Sequence, residues 1–119
     1  MPTMEAQGYG QVINLSSIGG LSVSPTAAVY CATKFAVRAI SDGLRQETDK
    51  IRVTVVCPGV VESELADSIS DKTARETMKG FRKVALGADA IARALVYAIE
   101  QPDGVDVSEI VVRPTGSPY

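Results

Sequence analysis

Histidine and tryptophan are absent, cysteine occurs twice, and aromatic residues make up only 5% of the 119 residues. Without histidine there is no His-based triad, no imidazole metal ligand and no imidazole general base. Acid–base chemistry must then come from Tyr, Lys, Asp, Glu or Cys. Cys31 and Cys57 are too few for a disulfide framework or a zinc site; they read as small packed residues in a reducing compartment. No apolar run approaches the ~18 residues that a membrane span requires. The longest, Val53 to Val61, is interrupted by Pro58-Gly59. The start, Met1-Pro2-Thr3-Met4-Glu5, lacks the charged-then-apolar profile of a signal peptide, so a soluble, cytoplasmic protein is expected. A dominant charge is lacking too: 12 Lys+Arg against 14 Asp+Glu leave a net charge of −2. That field is too weak to indicate nucleic acid or an anionic membrane as the main partner.

What is present, 45% hydrophobic and 22% charged residues, fits one globular domain. A chain of this length buries roughly two-thirds of its unfolded surface. No internal repeat, low-complexity tract or long linker divides it, so residues 1–119 are expected to form a single unit. Three segments rich in β-branched residues predict strands: Gln11 to Leu15, Ile51 to Cys57, and Glu109 to Arg113. The latter two are nearly continuous apolar runs, the pattern of parallel strands covered on both faces by helices. Between the first two, the spacing predicts a helix over about Pro25 to Thr48, with Ser24 as N-cap and Pro25 at the first helical position. Its packed face is expected to carry Ala32, Ala36, Ile40 and Leu44. Further helices are predicted over about Asp71 to Val84 and Ala88 to Glu100, the latter stopped by Gln101-Pro102-Asp103-Gly104. Strand, helix, strand, helices, strand is the order of an α/β domain with a small parallel sheet.

Tyr30 and Lys34 sit four apart near the start of the long helix, so their side chains lie on one face about a turn apart. A neighbouring ammonium favours the phenolate, which makes a tyrosine usable as an acid–base group. Thirteen residues before Tyr30, Ser17 follows the first strand. The carboxyl edge of a parallel sheet is where open α/β folds place binding and catalysis, and a hydroxyl there can bind a carbonyl oxygen.

Asn14-Leu-Ser-Ser17, Gly19-Gly20, Tyr30-x-x-x-Lys34 with Phe35-Ala-Val37, and Pro58-Gly59-Val-Val-Glu-Ser63 together resemble the short-chain dehydrogenase/reductase family from about Gly8 onward. A lone Tyr-x-x-x-Lys is weak; the joint pattern is strong. The resemblance implies a Rossmann-like, doubly wound parallel sheet, of which this chain would be the C-terminal half: three strands with flanking helices. It implies NAD(P)-dependent interconversion of a small-molecule alcohol and carbonyl. Tyr30 would be the general acid or base and Ser17 would hold the substrate oxygen. Lys34 would bind nicotinamide-ribose hydroxyls and assist Tyr30. In the Pro58-Gly59 turn, the backbone near Val61 and the hydroxyl of Ser63, which stands where the family more often has Thr, would clamp the nicotinamide carboxamide. The family's interface helix matches the helix of Tyr30, so a homo-oligomer is expected. NADP is expected slightly ahead of NAD, although the residues that select between them have no counterpart here.

The family's Gly-rich dinucleotide turn and its Asn-Ala-Gly segment also lack counterparts. Gly8-Tyr9-Gly10 precedes a strand, and Ile13 stands where a third Gly is needed. Met1 to Gln7 reads as the tail of a preceding helix, so the chain is expected to begin in mid-fold, as a fragment, a truncated product or a misassigned start. The competing expectation is therefore a non-catalytic remnant or interaction protein that does not bind dinucleotide alone. The extended epimerase/dehydratase relatives fit less well because of the Pro58-Gly59 turn.

Other features read as structural. Lys72, Arg75, Lys79, Arg82 and Lys83 form a solvated helix face, interrupted by Asp71 and Glu76. Glu62, Glu64 and Asp67 suit the first turn of a helix and receive no catalytic role. Gly19-Gly20 turns the chain off the sheet. Ile18, Val23, Val60 and Leu65 are candidates for an apolar pocket lining.

Overall fold

A computed structural model describes residues 1–59 and 86–116. Strand β1 (Gly10–Leu15) follows a short helix α1 (Pro2–Gln7) that Gly8 ends in the left-handed region at φ 83. A 3-10 turn (Ile18–Gly20) leads to the long helix α2 (Ala28–Gln46), then β2 (Ile51–Pro58), α3 (Ala88–Ile99) and β3 (Glu109–Val112). The sheet is parallel in the order β1-β2-β3, with Gly10 opposite Ile51 and Val55 opposite Glu109. The predicted helix over 71–84, the basic stripe, the acidic trio, Val60 and Leu65 lie outside the described residues. No helix among the described residues is long and apolar enough to cross a membrane.

Position in the sheet decides how each apolar run is used. The central β2 buries Val53, Val55, Val56 and Cys57 at 2% exposure or less, on both faces. The Glu109–Val112 run resembles β2 in sequence, yet it lies at an edge of the described sheet and alternates, with Val111 exposed. The helices cover opposite faces. Asn14 reaches α2, its amide donating to Ser41 Oγ at 2.9 Å. Gln11 and Arg52 reach the end of α3, donating to the Ala98 carbonyl at 3.2 and 3.3 Å, and Arg52 also donates to the Gln101 carbonyl at 3.1 Å. A guanidinium there meets both the orphan carbonyls and the negative end of the helix dipole.

Two expectations for α2 are corrected. Pro25 does not begin the helix. Ser24 to Ala27 form a hydrogen-bonded turn, with the Ala27 N–H donating to the Ser24 carbonyl at 3.2 Å and Thr26 at φ 67, so Pro25 takes the second place of a type II turn. The helix starts after it with no side-chain cap. The packed face is also different: Cys31, Val37 and Ser41 turn inward, whereas Ala32, Ala36 and Ile40 face outward and Leu44 lies between. Ser41 can be fully buried because its hydroxyl donates to the Val37 carbonyl at 2.8 Å while accepting from Asn14.

Candidate active site

The first strand leaves the sheet at Ser16, whose N–H makes the last ladder bond, to the Val56 carbonyl at 2.8 Å. Ser17 then caps the 3-10 turn, its Oγ accepting the Gly19 N–H at 3.1 Å. With one lone pair so engaged, the hydroxyl proton of Ser17 stays available to an external acceptor.

Tyr30 is the third residue of α2 and is 51% exposed. One turn further, Lys34 Nζ lies over its ring, 5.7 Å from the centroid, within reach of a cation–π contact. Gly19 is the point where the Ser17 and Tyr30 side chains meet. A Cβ there would stand 3.1 Å from Tyr30 Cε1, 3.4 Å from Cys31 Sγ and 3.5 Å from Ser17 Oγ. The structure therefore brings Ser17, Tyr30 and Lys34 together at the carboxyl edge of the sheet.

The other sequence candidates divide. Pro58 ends β2 on that same edge, and the Gly59 N–H donates to the Val112 carbonyl at 2.7 Å. Gly59 is pressed against β3's exit, where a Cβ would be 3.1 Å from Pro114 Cδ. Val61 and Ser63 lie outside the described residues. Ile18 is half-buried beside Ser17, and Val23 is 65% exposed.

Beneath the edge lies a polar cluster that sequence reasoning missed. Ser16 Oγ donates to the Lys34 carbonyl at 2.8 Å, and Arg38 Nε pairs with Glu109 Oε1 at 2.8 Å. The hydrogen bond to Glu109 raises the Arg38 pKa. Burial, and then the Glu109 charge, push the Cys57 thiol up as well. The spacing of Arg38 one turn past Lys34 was visible in the sequence, but its partner lies 71 residues away.

A family model described as short chain dehydrogenase matches residues 1–74. An uncharacterized oxidoreductase of Staphylococcus saprophyticus is 47% identical over 119 residues, covering 97% of this chain and 48% of its own length. One of Listeria monocytogenes is 38% identical over 124 residues, covering all of this chain and 50% of its own length. Among solved structures, the closed form of serine dehydrogenase complexed with NADP+ superposes with a TM-score of 0.87 at 27% identity, over 100% of this chain and 50% of that one. The chain spans about half the length of the curated relatives it matches.

Proposed function

The chain belongs to the short-chain dehydrogenase/reductase family, and from that premise we propose that it carries the proton-transfer site of an NAD(P)-dependent oxidoreductase that interconverts a small-molecule carbonyl and alcohol. The observation that carries the reading is the convergence on Gly19 of the Ser17 hydroxyl and the Tyr30 ring, with the Lys34 ammonium over that ring. A phenol, an alcohol and an ammonium on one edge form a set of donors suited to a carbonyl oxygen and to ribose hydroxyls.

When bound, a reduced nicotinamide supplies the hydride that adds to the carbonyl carbon. Ser17 donates its hydroxyl proton as a hydrogen bond to the carbonyl oxygen and holds it in place. Tyr30 transfers its phenolic proton to that oxygen, completing the alcohol, and the Lys34 ammonium stabilises the negative charge left on the ring oxygen. In the oxidative direction Tyr30 takes the hydroxyl proton instead. Lys34 also serves the ribose, and the Pro58-Gly59 turn with Val61 and Ser63 would receive the carboxamide. NADP is our choice of dinucleotide, supported by the serine dehydrogenase complex with NADP+. The outward stripe of α2, with Ala32, Ala36 and Ile40 beside Val29, which is 80% exposed, supports packing against a second copy of the chain.

Consumption of NADPH with a panel of small aldehydes and ketones tests the reading. Tyr30→Phe should lower the rate by about 10²–10⁴-fold, the usual weight of acid–base catalysis, with NADPH affinity nearly unchanged. Equal rates in parent and variant refute it.

A further inference from the structure

One turn beyond Lys34, on the inward side of α2, stands Arg38, which the proton transfer does not employ. Its Nε donates to Glu109 Oε1 at 2.8 Å and its Nη1 to the Gly20 carbonyl at 3.0 Å. Gly20 closes the 3-10 turn that Ser17 opens, and its N–H returns to the Ser17 carbonyl at 2.8 Å. Ser16, just ahead of that turn, is tied to the Lys34 carbonyl at 2.8 Å. Glu109 Oε1 also accepts from the thiol of Cys57, 3.7 Å away, immediately before Pro58-Gly59. One carboxylate from β3 thus stands where three segments meet: the Ser17 turn, the Tyr30-Lys34 helix and the end of β2.

We propose that Arg38, oriented by Glu109, is the positioning residue that sets the separation of Ser17 from Tyr30; this rests on the reading of those two as the oxygen-binding pair. A guanidinium offers donors in fixed directions and grips a carboxylate and a carbonyl at once, whereas an ammonium is a point charge on a flexible stem. The Arg38 side chain is only 30% exposed, so without Glu109 it turns toward water and the Gly20 carbonyl loses its donor. The turn then keeps its own short-range bonds and, just ahead of it, the tie of Ser16 to the Lys34 carbonyl. Glu109 sits on β3, 71 residues from Arg38, so pinning the Ser17 turn requires β3 to be docked.

NMR on the 119-residue chain tests this with no need for turnover, so its outcome is separate from that of the Tyr30→Phe assay. The probes are the nuclear Overhauser contact between Gly19 Hα and the Tyr30 ring, and amide exchange at Gly20 and Leu21. In Glu109→Gln and Arg38→Met the contact should weaken and the two amides should exchange about tenfold faster or more, while Val53 to Val56 of β2 keep their protection. Arg38→Lys should not restore the parent behaviour. The proposal is overturned if the contact persists, if Gly20 and Leu21 accelerate only in step with β2, or if Arg38→Lys matches the parent. Should Arg38→Met fail to fold, Glu109→Gln alone decides.

Discussion

Gly20→Ala probes the seam between β1 and α2 that places the site. Gly20 is buried, and a Cβ added there would overlap Ser16 Oγ and stand 2.9 Å from the Lys34 carbonyl oxygen and 3.1 Å from its carbon. The hydroxyl of Ser16 can rotate away, at the loss of its bond to Lys34. The carbonyl belongs to the backbone of α2 and moves only if the turn bearing Tyr30 and Lys34 moves with it. Overpacking of this kind costs about 1–3 kcal/mol, and the lost hydrogen bond adds about 1 kcal/mol. Gly20 does not have a positive φ, so backbone strain adds nothing. The expected loss is about 2–4 kcal/mol, and at about 4 °C per kcal/mol for a domain of this size Tm falls by roughly 8–16 °C. Thermal and urea unfolding followed by circular dichroism measures it. Gly43→Ala is the internal control, because a Cβ there meets nothing within 4 Å in a helix interior; it should gain up to about 1 kcal/mol. In Ser16→Ala with Gly20→Ala, the loss should be smaller than the sum of the single losses by about 1 kcal/mol, since one obstacle has gone. A Gly20→Ala protein that melts with the parent would refute the close approach of the turn to the helix.

The remaining predictions concern charge and association. Cys57 is fully buried, facing Glu109, Arg38 and Ser16, and its thiol is held above its ordinary value of 9.0 by burial and then by the Glu109 charge. Below pH 9.0 the thiol keeps its proton both folded and unfolded; above it the unfolded chain ionises first, so stability falls as pH rises toward the folded value, by at most about 1.4 kcal/mol per pH unit. Urea unfolding between neutral and strongly alkaline pH should show this slope in the parent and a flatter one in Cys57→Ala, and parallel curves contradict it. Ala36→Glu places a charge on the outward stripe of α2; light scattering should show a larger species in the parent and a monomer in the variant, with helix content unchanged. A parent that stays monomeric across micromolar concentrations removes the self-association reading.

Much of the candidate site was legible because its parts are local. Tyr30 and Lys34 share a face by helical spacing alone, and Ser17 falls at the edge because the β-branched run before it ends at Leu15. The packed face of α2 was misread for an instructive reason. Ala32, Ala36 and Ile40 recur every fourth residue, but such a row winds around a helix of 3.6 residues per turn, and the inward position went to Ser41, a polar residue with both bonding partners supplied. The type II turn at Thr26 displaced the helix start because proline suits a turn's second place as well as a helix's first.

Composition and short-range pattern were therefore enough to determine the α/β alternation and to single out Ser17 and Tyr30, which meet at Gly19, with Lys34 over the tyrosine ring. Tertiary structure alone decided that, among the described strands, β2 is central while the similar run of β3 lies at an edge, and that Glu109 reaches Arg38 across 71 residues. The reason is physical: helical and strand periods and turn preferences act over a few residues, whereas strand order and register determine which distant side chains share the same small volume.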